Sequence, residues 1–282
     1  MHTVKILQPT STTLVAQLSS LYQTFKGVKQ KDAIEFDFSN LNFISPLLIL
    51  PLCAYLNESK SSIIGTTQHT SYLSAIKFPK GIDTINSFQQ QLQFAKNFVP
   101  ISVLKKDYGA DRERLETQFA TMVNKIIGSI KGSQSAIYHP ITELVTNIFD
   151  HSKKDRGYIF GQYYPNKKFL DICIVDCGRG LSCVYKEEEG LELNDEEAII
   201  EVMKGNSTKP GKERGFGVRT SKKVICEALG GEFILISGNT ALISDKGRER
   251  IVSLPEFYWQ GVIISYRIPQ PHGVIDIYPY LE

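Results

Sequence analysis

Three side chains able to do chemistry stand four residues apart in the stretch 137–152: Glu143, Asn147 and His151. At helical pitch they lie along one face. Ile137, Ile141, Leu144, Val145 and Ile148 make an apolar stripe on the other. A carboxylate, an amide and an imidazole in line beside a buried face make the wall of a site. Three further pieces lie downstream. Asp176-Cys177-Gly178-Arg179-Gly180 follows the apolar run 172–175. A carboxylate at a strand end, with glycines after it, gives a pocket floor and a turn that lets backbone approach a ligand closely. The segment 206–214 offers hydroxyls, including Thr208, and three cations, Lys209, Lys212 and Arg214. It suits a mobile flap over phosphates. Gly215-Phe216-Gly217 then opens a helix. Amides at a helix N-terminus, with the positive end of the dipole, attract an anion by roughly 0.3–2 kcal/mol per charge.

Alternating patterns predict the elements that must hold these residues. In the first half, 1–100, strands are expected at 3–7, 32–38 and 63–66 and helices at 13–25, 45–56 and 71–77. Ser45 is the expected N-cap of the second helix, with Pro46 at its first position. The stretch 98–102 is a linker or a pairing strand. A charged amphipathic helix follows at 111–127, with Leu115, Phe119, Met122, Val123 and Ile126 on its apolar side. After the Glu143 helix come strands at 158–163 and 169–175. Next are a helix at 194–204 capped by Asn194 and a helix at 218–229 ended by Gly230-Gly231. Strands at 232–237, 240–244 and 261–268 complete the pattern. The expected fold is α+β, divided as 1–100, 101–270 and a tail at 271–282.

The 282 residues carry a net charge of +2 and no basic tract, so nothing favours a nucleic-acid partner. The longest apolar run, 47–56, is too short to cross a bilayer. The first residues lack a signal-peptide core. Five scattered cysteines without a zinc-type pattern read as reduced thiols of a cytoplasmic protein.

The order of these pieces, from the Glu/Asn helix through strand–Asp-x-Gly-x-Gly, loop, Gly-x-Gly–helix and Gly-Gly to the final strands, resembles the GHKL or Bergerat ATP-binding fold. That fold is shared by gyrase-type topoisomerases, heat-shock chaperones, histidine kinases and MutL. It is not a P-loop, since GxxxxGK[ST] is absent. The resemblance covers roughly 108–270 and implies a mixed sheet covered by helices, binding ATP or ADP with Mg²⁺. It assigns Asn147 to the Mg²⁺ and Glu143 to polarising the attacking nucleophile. Asp176 would accept from the adenine amino group. Gly178 and Gly180 would line base and sugar, with Gly215, Phe216 and Gly217 below the phosphates and Thr208, Lys209 and Arg214 covering them. Residue chemistry agrees: an amide oxygen suits a hard cation, a carboxylate one turn away reaches the same centre, and a fixed carboxylate can read an exocyclic amine.

Within that superfamily Glu-Leu-Val-Thr-Asn-Ile-Phe-Asp-His is most similar to the anti-sigma-factor serine kinases. That implies a partner-switching regulator with a protein partner, no membrane or direct nucleic-acid contact, and room for a homodimer. A nucleotide-gated clamp of the MutL kind is the alternative, and is disfavoured by the few residues after Ile268. A sensor histidine kinase needs a phosphoacceptor histidine upstream. His69 and His139 lie in the wrong contexts, and His2 and His272 are near the ends. The first half, at 32–56, resembles the STAS fold of anti-sigma-factor antagonists. Its phosphoacceptor loop would be Ile44-Ser45-Pro46-Leu47, which lacks that family's glycine and second hydroxyl. It therefore reads as a docking or regulatory platform that is not itself phosphorylated.

Overall fold

The computed structural model describes residues 2–92, 97–106, 109–128, 130–206 and 217–281. It is an α+β protein with a small parallel sheet and a large antiparallel one. β1 (His2–Lys5) pairs in parallel with β2 (Ile34–Asp37), and β2 with β3 (Ser62–Ile64). α1 (Leu14–Phe25) starts where the Thr13 hydroxyl accepts from the Ala16 amide. α2 (Pro46–Glu58) starts on a proline whose fixed φ suits the first helical position. The expected Ser45 side-chain cap is not formed. Its hydroxyl is fully buried with no hydrogen-bond partner among the described residues, while its carbonyl receives the Leu48 and Ile49 amides. α3 (Thr70–Ala75) and α4 (Ile85–Leu92) complete the first half, and Phe88 of the latter is fully buried.

The large sheet has the order β4 (Phe98–Lys105), β5 (Arg156–Tyr164), β6 (Phe169–Val175), β10 (Trp259–Pro269), β7 (Glu232–Gly238), β8 (Thr240–Asp245), β9 (Arg248–Ser253). A mixed sheet was the expectation, but every one of these pairings is antiparallel. The reason is connectivity. β5–β6 and β7–β8–β9 are hairpin-linked, and β10 returns between β6 and β7, opposed to both.

Alternation sorts the strands between two cores. Ile159, Ile172, Ile174, Leu235 and Ile264 face α5 (Gly109–Ile127) and α6 (Ser133–His151). Tyr158, Phe160, Cys173, Val175, Ile234, Ile236 and Ile263 face the other way and share one core with Leu18, Leu21 and Phe25 of α1 and Leu48, Leu52 and Cys53 of α2. The large sheet is thus the middle of three layers. A buried polar knot ties the layers together. Asp171 on β6 takes both Nε and Nη2 of Arg267, its partner on β10, at 2.7 and 2.8 Å. Gln17 of α1 donates to the same carboxylate at 2.9 Å, and Arg267 also donates to the Thr12 carbonyl. Past β10, Ile275 donates to the Lys131 carbonyl and Ile277 is buried, which seats the tail against the α5–α6 connection.

Candidate functional site

The site is built where α6 meets the carboxyl end of β6. Ile137, Ile141, Leu144, Val145 and Ile148 anchor α6 in the core, which turns Glu143, Asn147 and His151 away from it. α9 (Gly217–Lys223), which runs on into a π-helical turn Val224–Ala228, crosses this polar face. Its first residue lies against two of those side chains. A Cβ on Gly217 would stand 2.9 Å from Asn147 Nδ2 and 3.0 Å from Glu143 Oε2. Glu143 and Asn147 therefore converge on one backbone position, where any side chain would have to displace the ends of both.

Beside them opens a cleft of about 900 Å³, the open solvent at its mouth included. Asn147, His151, Asp176, Gly180 and Gly217 line it, with apolar walls from Leu144, Ile148, Leu181, Val184 and Ile264. Five sequence-predicted positions from three separate stretches thus share one cavity. α7 (Leu181–Glu189), absent from the sequence expectation, supplies much of its apolar side, and α8 (Asp195–Lys204) adds Val202. The α8 cap is the expected Asn194, as a capping box with Glu197.

Asp176 is 4% exposed. Its Oδ1 accepts from the Gly178 amide at 2.7 Å, its amide donates to the Val262 carbonyl, and its carbonyl accepts from Trp259 Nε1 at 2.9 Å. Burial pushes the carboxyl up to about 7, against the opposing pull of the Gly178 and Val262 backbone and the Lys154 charge. Gly178 is not among the residues lining the cleft. It is wedged on Ser152, whose Cα would lie 2.7 Å from a Cβ there. The glycine serves packing that fixes Asp176, while Asp176 and Gly180 on either side face the cavity.

Gly261, Trp259, Ser152 and His139 were not picked out as site residues. Gly261 sits in a β10 irregularity at φ +110°, and its Cβ would fall 2.8 Å from both Asp176 Oδ1 and the Gly178 nitrogen. Only glycine fits both the angle and the approach. The signal was present as a glycine within an apolar strand pattern. His139 lies one turn before Glu143, with Nε2 buried and no hydrogen-bond partner among the described residues. Burial lowers its pKa, with the Glu143 charge acting against that shift. Its four-residue spacing from Glu143 was readable.

Arg179 fastens α7 to the end of α6. It donates to the His151 carbonyl at 2.6 Å and pairs with Glu187 and Glu188. His151 Nδ1 is 3.4 Å from Glu188 Oε2. Thr208, Lys209, Arg214, Gly215 and Phe216 lie outside the described residues. Asn206, just before them, lines the cleft and accepts the Tyr185 hydroxyl on its carbonyl. Among the described residues no group of three or more His, Cys, Asp or Glu is placed to hold a metal, and no helix is long and apolar enough to cross a membrane. Comparison of the chain with protein-family models, with curated proteins and with solved structures gave no match.

Proposed function

We propose that the protein is a regulator of the GHKL class that binds Mg-ATP in this cleft and signals by partner switching, in the manner of anti-sigma serine kinases. The first half would be its STAS-like docking layer. One observation carries the reading: Asn147 and Gly217 line the same cavity as Asp176 and Gly180, and the Glu143 carboxylate, which is not among the lining residues, reaches Gly217 from beside Asn147. The apolar walls suit a flat base, and Asp176 offers a fixed acceptor at their end for its amino group. The Asn147 amide oxygen would hold Mg²⁺ with Glu143 nearby. A sparse protein shell fits a cation that keeps its waters and shares substrate phosphates. Bound there, Mg²⁺ would neutralise triphosphate charge. Glu143 would then orient and deprotonate the attacking hydroxyl or water.

Calorimetric titration of the full chain with Mg-ATP and Mg-GTP tests the reading. Saturable ATP binding that outcompetes GTP is expected, because guanine presents a carbonyl where adenine presents a donor, and a carboxylate repels it. No ATP binding, or equal affinity for both nucleotides, overturns it.

A further inference from the structure

A second, wide-open cleft, about 1260 Å³ with the open solvent at its mouth included, lies on the first half at the carboxyl ends of β2 and β3, the end at which parallel strands present ligand sites. Its apolar floor is Leu73 and Phe78, backed by the buried Phe38, and its rim carries Thr66, Ser74, Lys77 and Lys80. Among the described residues no carboxylate lines it, while the Asp37 carboxylate stands against Gly65 at its edge. Both walls are pinned. On one side Phe38 donates to the Ile64 carbonyl, Thr67 Oγ1 to the Leu41 carbonyl at 2.6 Å, and His69 Nε2 sits 2.8 Å from the Asn42 carbonyl. On the other, the Pro79 carbonyl is held by Cys53 Sγ and Asn57 Nδ2 of α2. Ile76 and Ile82 are stitched to β4 by three further backbone hydrogen bonds.

The two lysines on this fixed loop have no ion-pair partner among the described residues. Lys77 closes α3 at φ +66°, the left-handed position that glycine usually occupies after a helix. A rigid loop that holds two unneutralised cations over an apolar floor is built for an anion with an apolar body.

We propose that this cleft binds a small phosphate monoester, its phosphate between Lys77 and Lys80 and its apolar part on Leu73 and Phe78. The site is separate from the Asp176 cleft and does not depend on what binds there. The test is amide NMR of the full chain, saturated with Mg-ATP, titrated with phenyl phosphate and, separately, with inorganic phosphate. Shifts at Thr66, Ser74 and Gly81 are expected. Phenyl phosphate should bind more tightly than phosphate, and Lys77→Gln with Lys80→Gln should weaken it about tenfold. Lys80→Gln alone, at an exposed side chain, repeats the measurement if the double variant does not fold. Shifts elsewhere, equal affinity for the two anions, or affinity unchanged by the substitutions overturns the proposal.

Discussion

At the scale of single residues, Asp176 is the group whose chemistry the surroundings alter most usefully. An adenine amino group donates, so it needs the carboxylate, yet burial favours the protonated acid up to about pH 7. Each pH unit below that point costs about 1.4 kcal/mol. ATP affinity should therefore rise about tenfold between roughly pH 6 and pH 8 and then level off, as calorimetry at fixed ionic strength would show. The sign for stability is opposite. A raised folded-state pKa contributes stability at low pH that is lost as pH rises through about 7. Asp176→Asn mimics the neutral acid, so it should fold well at pH 8. It should lose roughly 1.5–3 kcal/mol of ATP binding and make the remainder flat with pH. A steep pH dependence surviving in Asp176→Asn would assign the effect to another group. Glu143 and Asn147 touch the same glycine but should separate functionally. Glu143→Gln should keep ATP bound while slowing turnover or transfer about 10²–10⁴-fold, whereas Asn147→Ala should abolish the Mg²⁺-dependent part of binding. Identical behaviour in a paired binding and turnover assay would show that metal ligand and base are not divided this way. These residues were legible because type and spacing were local. Trp259 and Gly261 were not, since their contacts with Asp176 span a sequence separation near that of the Trp259–Asp176 bond, 83 residues, and depend on β10 returning beside β6.

At the scale of elements, α6 and β6 were readable because burial imposes a clear period on each. The unread elements had no such imprint. α7 is Leu-Ser-Cys-Val-Tyr-Lys-Glu-Glu-Glu, with only Val184 and Tyr185 buried. β9 is a charged edge strand, Arg-Glu-Arg-Ile-Val-Ser, whose pairing rather than its pattern makes it a strand. Ser45 shows an element boundary found for a partly wrong reason. The helix does begin at Pro46, but the serine hydroxyl caps nothing. A true cap would cost about 1 kcal/mol on removal. A buried hydroxyl without a partner predicts the reverse: Ser45→Ala should be neutral or stabilising by up to about 1 kcal/mol in urea unfolding. Full burial also hides the hydroxyl from any kinase. Incubation with Mg-ATP should leave Ser45 unmodified by mass spectrometry, and stoichiometric phosphate there would restore a self-phosphorylating switch.

At the scale of the whole molecule, the halves distinguished by sequence pack as one body, and the second half carries the site. The first half reaches Asp176 by two routes. Phe25 stacks edge-on against Trp259 at 5.7 Å, and the Trp259 indole holds the Asp176 carbonyl. Glu58, in the last turn of α2, pairs with Lys154 at 3.0 Å, the cation whose charge bears on the Asp176 carboxyl. Removing residues 1–97 would break both routes, strip Gln17 from the Asp171–Arg267 pair, and expose Tyr158, Phe160, Val175, Ile234, Ile236 and Ile263 on one sheet face. A contiguous apolar patch of that kind is not tolerated by a soluble monomer. We expect residues 98–282 alone to aggregate or to lose cooperative unfolding, with ATP affinity lost alongside. The comparison that decides it is size-exclusion chromatography and thermal unfolding of the shortened and full chains, each with and without Mg-ATP. A monomeric fragment that unfolds cooperatively and binds ATP as the full chain does would show that the sheet needs no second layer and that Asp176 is set by the second half alone.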